Sequence, residues 1–331
     1  MNKEMLGIAI VGLGKYSKEQ LAPALQQTKF CKLTGIVTDD IEKSEAWQKK
    51  YSIPQNNTYN YENFDSISRN PDIDIVYIVL PNALHAEYVI RAARAGKHVI
   101  CEKPMAITVN ECTQMMDACQ KAGVKLAIGY RLHFEPHNRE MIRLGQQKIY
   151  GELKHIKAEF GLREVEGWRL NKALAGGGPL MDVGIYCIQA ARYVSGLEPI
   201  AVSAKEGPKH DIQKFKTVEE SIQWTMEFPR GLIADCHCSY SEDFDVLRVD
   251  AEHGWFELSP AFNYEGIKGR TVDGPMKFDQ VREQVLFMDG ISKSIMEGKD
   301  VPVAGEMGRQ DIKIIQAIYE SASIGKRIEL I

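Results

Sequence analysis

Three stretches of the sequence carry residue types whose spacing could do chemistry. In the first, Gly12-Leu13-Gly14-Lys15-Tyr16-Ser17 follows an apolar run, Leu6 to Val11, and precedes a segment of helical spacing. This is a G-x-G-x-x-G/A pattern with Ser17 in the third position. Gly12 permits a tight turn, Gly14 lets the backbone approach a pyrophosphate, and a small Ser17 lets strand and helix pack closely. Free N–H groups at the helix start would meet the phosphate charge. Thr38-Asp39-Asp40 ends the next apolar run about 25 residues after Gly14, near where an acid binds the ribose hydroxyls of NAD. Asp39 repels a 2′-phosphate and by itself favours NAD, whereas Thr38 and Lys43 could accept that phosphate. NAD and NADP both stay open, and Asp40 reads equally well as a loop residue at a helix start.

The second stretch is Glu102-Lys103-Pro104, directly after the apolar run Val99-Ile100-Cys101. The carboxyl ends of strands border the ligand crevice of an open α/β sheet. A lysine placed there would reach a nicotinamide, and the following proline holds its backbone extended or in a cis bond. The plain alternative is a surface lysine paired with Glu102. The third stretch is Gly176-Gly177-Gly178-Pro179-Leu180-Met181-Asp182-Val183-Gly184-Ile185-Tyr186. Pro179 suits a first helical turn, so Asp182 and Tyr186, spaced i, i+4, share one helical face. A carboxylate and a phenol facing one way can handle an alcohol. The alternatives are an acid favoured by the helix dipole and a packing aromatic.

Elements must hold these groups in place. In the first 130 residues, apolar runs at Leu6–Val11, Leu33–Val37, Ile73–Leu80, Val99–Cys101 and Lys125–Ile128 alternate with helical spacing at Gln20–Thr28, Glu42–Tyr51, His85–Ala95 and Val109–Ala122. That alternation predicts a doubly wound parallel sheet. The second half has strand-like runs at Gly151–Gly161, Pro199–Lys205, Ser221–Phe228, Gly231–Tyr240, Leu247–Ala251 and Trp255–Leu258, with helical spacing at Leu180–Ser195 and Ile312–Ser323. It predicts an α+β domain with a large, open, mostly antiparallel sheet covered by helices on one face. The boundary is expected near 129–136.

The chain has 331 residues, 44% of them hydrophobic and 26% charged, which suits two globular domains rather than a disordered chain. A net charge of -4 gives no electrostatic reason to expect nucleic acid or an anionic membrane. Seven scattered cysteines suggest no disulfide framework, and Cys236-His237-Cys238 reads as alternating strand residues rather than a metal site. No apolar run approaches a membrane span, and no signal peptide is read, so a reducing cytoplasm is expected.

Together with Pro81-Asn82-Ala83-Leu84-His85, Ala95-Gly96-Lys97-His98-Val99 and Gly129-Tyr130-Arg131, these stretches make the chain resemble the glucose–fructose oxidoreductase, inositol dehydrogenase and rhizopine catabolism family over nearly its whole length. Tyr186 stands where many members carry histidine. That tyrosine, and Trp168-Arg169-Leu170-Asn171-Lys172-Ala173-Leu174-Ala175 before the glycines, are similar to the glucose–fructose oxidoreductase branch. The branch often uses NADP, sometimes held tightly and recycled between two sugars, but Asp39 departs from the small residue expected there.

The resemblance implies an NAD(P)-binding Rossmann domain over 1–129 and a substrate-binding and oligomerisation domain over 130–331. It implies that Tyr186 takes the hydroxyl proton as hydride leaves the same carbon, that Lys103 assists, and that Asp182 orients the ring. The cofactor residues it implies are Gly12, Gly14, Lys15, Tyr16, Thr38, Asp39, Lys43, Leu80, Pro81, Asn82, His85, Glu102, Lys103, Arg131, Trp168 and Arg169; His85 reads equally as a packing histidine. A free phenol, with a pKa near ~10, is a poor base at neutral pH. A neighbouring ammonium and an oxidised nicotinamide favour the phenolate. The substrate class implied is a sugar, aldose or cyclic polyol, and the open sheet implies a homodimer or homotetramer. Two other readings are a cofactor-binding sugar sensor without turnover, which has no need of Lys103, Asp182 and Tyr186 together, and a dinucleotide-dependent carbohydrate hydrolase, whose histidine and acid are not identifiable.

Overall fold

The five apolar runs of the first half, joined by one short strand not anticipated, become one six-stranded parallel sheet in the computed structural model, which describes residues 3–330. Its strands are β1 (Leu6–Val11), β2 (Cys31–Val37), β3 (Thr58–Tyr59), β4 (Ile75–Ile78), β5 (His98–Cys101) and β6 (Leu126–Ile128), in the order 3-2-1-4-5-6. Every residue of β1 and β4 is buried, as expected of central strands covered on both faces. The covering helices are α1 (residues 15–25), α2 (Ile41–Tyr51), α3 (His85–Arg94) and α4 (Val109–Ala122). Local chemistry starts and stops them. The Asp40 carboxylate caps α2 through the Lys43 N–H at 3.0 Å. Thr108 and Glu111 form a reciprocal capping box on α4, and Gly123 ends it in the left-handed region. The strand order reverses between β1 and β4, so the carboxyl ends of those two strands flank the switch point where such sheets bind ligands.

The second sheet has nine strands: β7 (Leu153–Gly161), β8 (Ala201–Glu206), β9 (Ser221–Glu227), β10 (Ile233–Ser239), β11 (Phe244–Ala251), β12 (Gly254–Leu258), β13 (Gly269–Thr271), β14 (Gly274–Pro275) and β15 (Ile328–Glu329). Their order is 14-13-12-11-7-10-9-8-15, antiparallel except for the parallel pair β7–β10. Helix α5 (Pro136–Gln146) and helix α6 (residues 179–195) pack on one face. On β9, Ile222, Trp224 and Met226 point into that layer, while Gln223 and Thr225 point to the other face. Cys236 and Cys238 likewise face inward on β10. Among the described residues no His/Cys/Asp/Glu group is arranged to hold a metal, and no helix is long and apolar enough to cross a membrane.

The expected division into 1–129 and 130–331 needs correction. Two compact units form, but residues 282–309 join 3–131, and the second unit is 132–281 with 310–330. The reason lies in contacts made by α7 (Glu283–Met296), a helix not anticipated. Its Glu283 faces the buried Arg131 guanidinium, its Phe287 ring packs against Tyr77 of β4, and its Asp289 accepts the Lys29 and Phe30 N–H groups at 2.8 and 2.9 Å. Helix α5 was also unanticipated, and α8 (Gly305–Ile324) starts seven residues earlier than its apolar spacing suggested.

Candidate active site

At the first unit's switch point, Gly12 has φ +91°, and a Cβ there would lie 2.4 Å from the Val79 carbonyl oxygen. Only glycine fits between the end of β1 and the end of β4. Ser17 is fully buried, and its hydroxyl donates to the Gly12 carbonyl at 2.7 Å, closing the turn. Gly14 differs: a Cβ there meets nothing within 4 Å, so its backbone borders open space. Lys15 is exposed and Tyr16 half-buried in the first turn of α1, which contains a π-helical turn at Ser17–Leu21. An open glycine edge at a helix start fits a dinucleotide's pyrophosphate.

After β2, Asp39 is exposed and its carboxylate accepts the Tyr61 N–H at 2.9 Å. Thr38 is half-buried and its hydroxyl accepts from the Asp40 N–H. Lys43 forms an exposed ion pair with Asp40. After β4, Leu80 and Asn82 are buried and Pro81 is half-buried, with Asn82–Leu84 forming a 3-10 turn. His85 is fully buried. Its Nδ1 lies 2.9 Å from the Pro104 carbonyl oxygen and its Nε2 2.9 Å from that of Leu80. Burial holds its pKa below the usual imidazole value. It therefore packs, joining the loop after β4 to the loop after β5.

Glu102 is not a surface partner of Lys103. It is buried, accepting the Tyr77 phenol O–H at 2.7 Å and the Lys103 N–H at 3.2 Å. Burial raises its carboxyl pKa against the lowering effect of those donors. Gly129 leaves it room, because a Cβ there would meet the Glu102 carboxylate at 2.6 Å. Lys103 is half-exposed and precedes a cis proline bond. Arg131 is buried and ion-paired with Glu283.

In the second unit, α6 begins with a π-helical turn, Leu180–Gly184, and continues as Ile185–Ser195. Across residues 177–192 every side chain is buried except Asp182 and Tyr186. The helix thus presents a carboxylate and a phenol through an otherwise closed face. Asp182 Oδ2 accepts from Arg169 Nε and from the Tyr240 O–H, both at 3.0 Å. Arg169 also lies over the Trp168 ring, 4.8 Å from its centroid. Asp182 holds the Arg169 guanidinium even more firmly protonated, and burial pushes the Tyr240 phenol well above its ordinary range. Tyr186 is edge-on to Phe160 at 5.6 Å and tilted against Phe262 at 6.0 Å. The loop carrying Phe262 is pinned by Asp245, whose carboxylate accepts three successive N–H groups, those of Ala261, Phe262 and Asn263.

The second unit therefore brings together four anticipated residues: Trp168, Arg169, Asp182 and Tyr186. Tyr240, Phe160, Phe262 and Asp245 were not anticipated. Tyr240 is 58 residues from Asp182, so no sequence spacing links them.

Residues 6–130 match the family model described as oxidoreductase family, NAD-binding Rossmann fold. Residues 138–257 match the GFO/IDH/MocA C-terminal domain. The crystal structure of aldose-aldose oxidoreductase from Caulobacter crescentus, complexed with glycerol, is similar with a TM-score of 0.96 and 41% identity, covering 98% of this chain and 100% of that one. A D-xylose 1-dehydrogenase (NADP+) of Haloarcula marismortui is 29% identical over 97% of this chain and 92% of its own. D-glucoside 3-dehydrogenase of Escherichia coli is 26% identical over 100% of this chain and 99% of its own.

Proposed function

Because the chain belongs to the glucose–fructose oxidoreductase, inositol dehydrogenase and rhizopine catabolism family of oxidoreductases, we propose that it moves a hydride between NAD or NADP and a hydroxyl-bearing carbon of an aldose or cyclic polyol. The relatives named for xylose, glucosides and aldoses support that substrate class. The observation that carries the reading is the pair of Asp182 and Tyr186, the two half-buried side chains on a helix whose neighbouring residues are all buried.

The Gly12–Gly14 turn and the start of α1 are the residues that would hold the pyrophosphate, with the Thr38–Lys43 loop at the adenosine ribose. When bound, the nicotinamide supplies the hydride acceptor or donor. As the phenolate, Tyr186 accepts the substrate hydroxyl proton on its oxygen and becomes the phenol, which returns that proton in the reverse direction. Lys103 contributes a positive charge that favours the phenolate. Asp182, held by Arg169 and Tyr240, has an orientation set before substrate arrives, so it can fix a neighbouring hydroxyl without reorganisation. We assign the substrate-binding and self-association roles to the second unit and the dinucleotide role to the first.

Purified protein is expected to reduce NAD or NADP with at least one aldose or polyol in a broad panel. Lys103→Met and Tyr186→Phe should each lower kcat by about 10²–10⁴ while binding of the reduced dinucleotide, read by fluorescence, persists. Unchanged turnover in both variants removes the assignment. Dinucleotide binding without turnover on any sugar would favour the sensor.

A further inference from the structure

Helix α6 starts among buried residues of its own unit, and a buried carboxylate meets its first N–H groups there. Glu219, in the loop before β9, is 5% exposed. Its Oε2 accepts the Gly178 N–H at 3.0 Å, and its Oε1 accepts the Leu180 N–H at 3.1 Å and the Tyr319 O–H at 2.7 Å. No cation is among these partners. Three donors satisfy the carboxylate, and two of them are main-chain groups that a helix start leaves without an intrahelical acceptor. The negative charge also complements the dipole of α6.

The glycines of the loop belong to this arrangement. A Cβ on Gly177 would lie 1.9 Å from the Tyr319 phenol oxygen, and one on Gly178 would lie 2.6 Å from the Glu219 carbonyl oxygen. The side-chain space of two glycines is thus taken by the two residues that grip the turn. Asp182 lies two residues beyond Leu180 and is itself tied on its other side by Arg169 and Tyr240. The backbone of the first turn is held by Glu219, and its outgoing side chain by Tyr240.

We propose that Glu219, with Tyr319 donating to it, is a positioning residue that sets the first turn of α6 and thereby the placement of Asp182 and Tyr186. This rests on the reading that Asp182 and Tyr186 act on substrate. A displacement of about 1 Å at such groups can cost about 10²-fold in rate. Glu219→Gln keeps one acceptor oxygen but turns an amide N–H2 toward main-chain N–H groups or the phenol. Tyr319→Phe removes one donor and leaves the two N–H bonds.

Steady-state kinetics on the full-length chain tests this. Glu219→Gln should lower kcat about 10- to 100-fold, with KM for the dinucleotide within about twofold of wild type. Tyr319→Phe should lower kcat less. The double variant should be no slower than Glu219→Gln alone, because Tyr319 acts through the carboxylate. Additive losses in the double variant would show independent structural roles and overturn the proposal. If Glu219→Gln does not fold, Tyr319→Phe decides by itself, and an unchanged kcat overturns the proposal. Tyr186→Phe is measured alongside. If it loses turnover while Glu219→Gln and Tyr319→Phe, folded, keep theirs, the positioning role alone fails. If Tyr186→Phe also keeps its turnover, the active-site reading fails and the positioning role fails with it.

Discussion

Burial acts on single side chains most visibly at the histidines. His133 lies edge-on to Tyr193, with ring centroids 3.8 Å apart, and burial with the nearby Arg192 charge lowers its pKa to about 3. His85, His98 and His237 are lowered for the same first reason, desolvation. A base whose folded pKa is depressed stabilises the fold above the unfolded value, near ~6.5, and that contribution is lost as pH falls. Glu102 and Glu219 work in the opposite direction, since their raised values favour the folded state as they protonate. Comparing wild type with His133→Phe cancels those contributions. Between about pH 6 and about pH 4, wild type should lose stability faster than the variant, by up to about 1.4 kcal/mol per pH unit. Urea unfolding at several pH values measures this, and parallel slopes would show that His133 titrates normally in the folded chain. Residue chemistry was legible where it was local. Asp40 at a helix start, glycine at position 12 and the shared face of Asp182 and Tyr186 all follow from neighbours in sequence. The burial of Glu102 was not legible, because it depends on Tyr77 of β4 and on Gly129, directly after β6, arriving beside it.

Elements follow the same division. The strands and helices of the first half lie close to where apolar periodicity put them, because each parallel strand must be apolar throughout and each covering helix needs an apolar stripe. Helix α7 escaped that reading, although Phe287, Met288 and Ile291 recur at helical spacing and are buried. Its attachment to the first unit is tertiary. The Arg131–Glu283 pair is 4% and 2% exposed at its two side chains. Removing one partner of a buried pair leaves the other charge poorly compensated, at about 3–5 kcal/mol. Glu283→Ala should therefore lower the unfolding free energy by about that amount in urea titration. A loss below about 1 kcal/mol would show that the pair is matched by other partners of Arg131.

For the whole molecule, the outer face of the second sheet carries both charge signs side by side. Lys157 pairs with Glu159, Arg248 with Asp250 and Glu257, and Arg270 with Glu257. The guanidinium groups of Arg248 and Arg270 both lie over the Trp255 ring. Interspersed charges around an aromatic make a patch that can complement its own copy across a two-fold axis. We propose that the chain forms a homodimer or homotetramer through this face. Gel filtration with light scattering at micromolar concentration should give one of those masses, and a monomer would refute it.

Periodicity and glycine spacing by themselves determined the doubly wound first domain, the six strands β7 to β12 of the second sheet, the tight Gly12 turn and the Asp182–Tyr186 helix face, because each is set by residues within a few positions of one another; the short strands β13, β14 and β15 carry no such pattern. Tertiary structure alone decided that residues 282–309 return to the first unit, that Tyr240 and Arg169 hold Asp182, and that Glu219 and Tyr319 grip the glycine loop. Those contacts join segments tens to hundreds of residues apart, where hydrogen bonding depends on which strands and helices become neighbours and leaves no periodic trace in the chain.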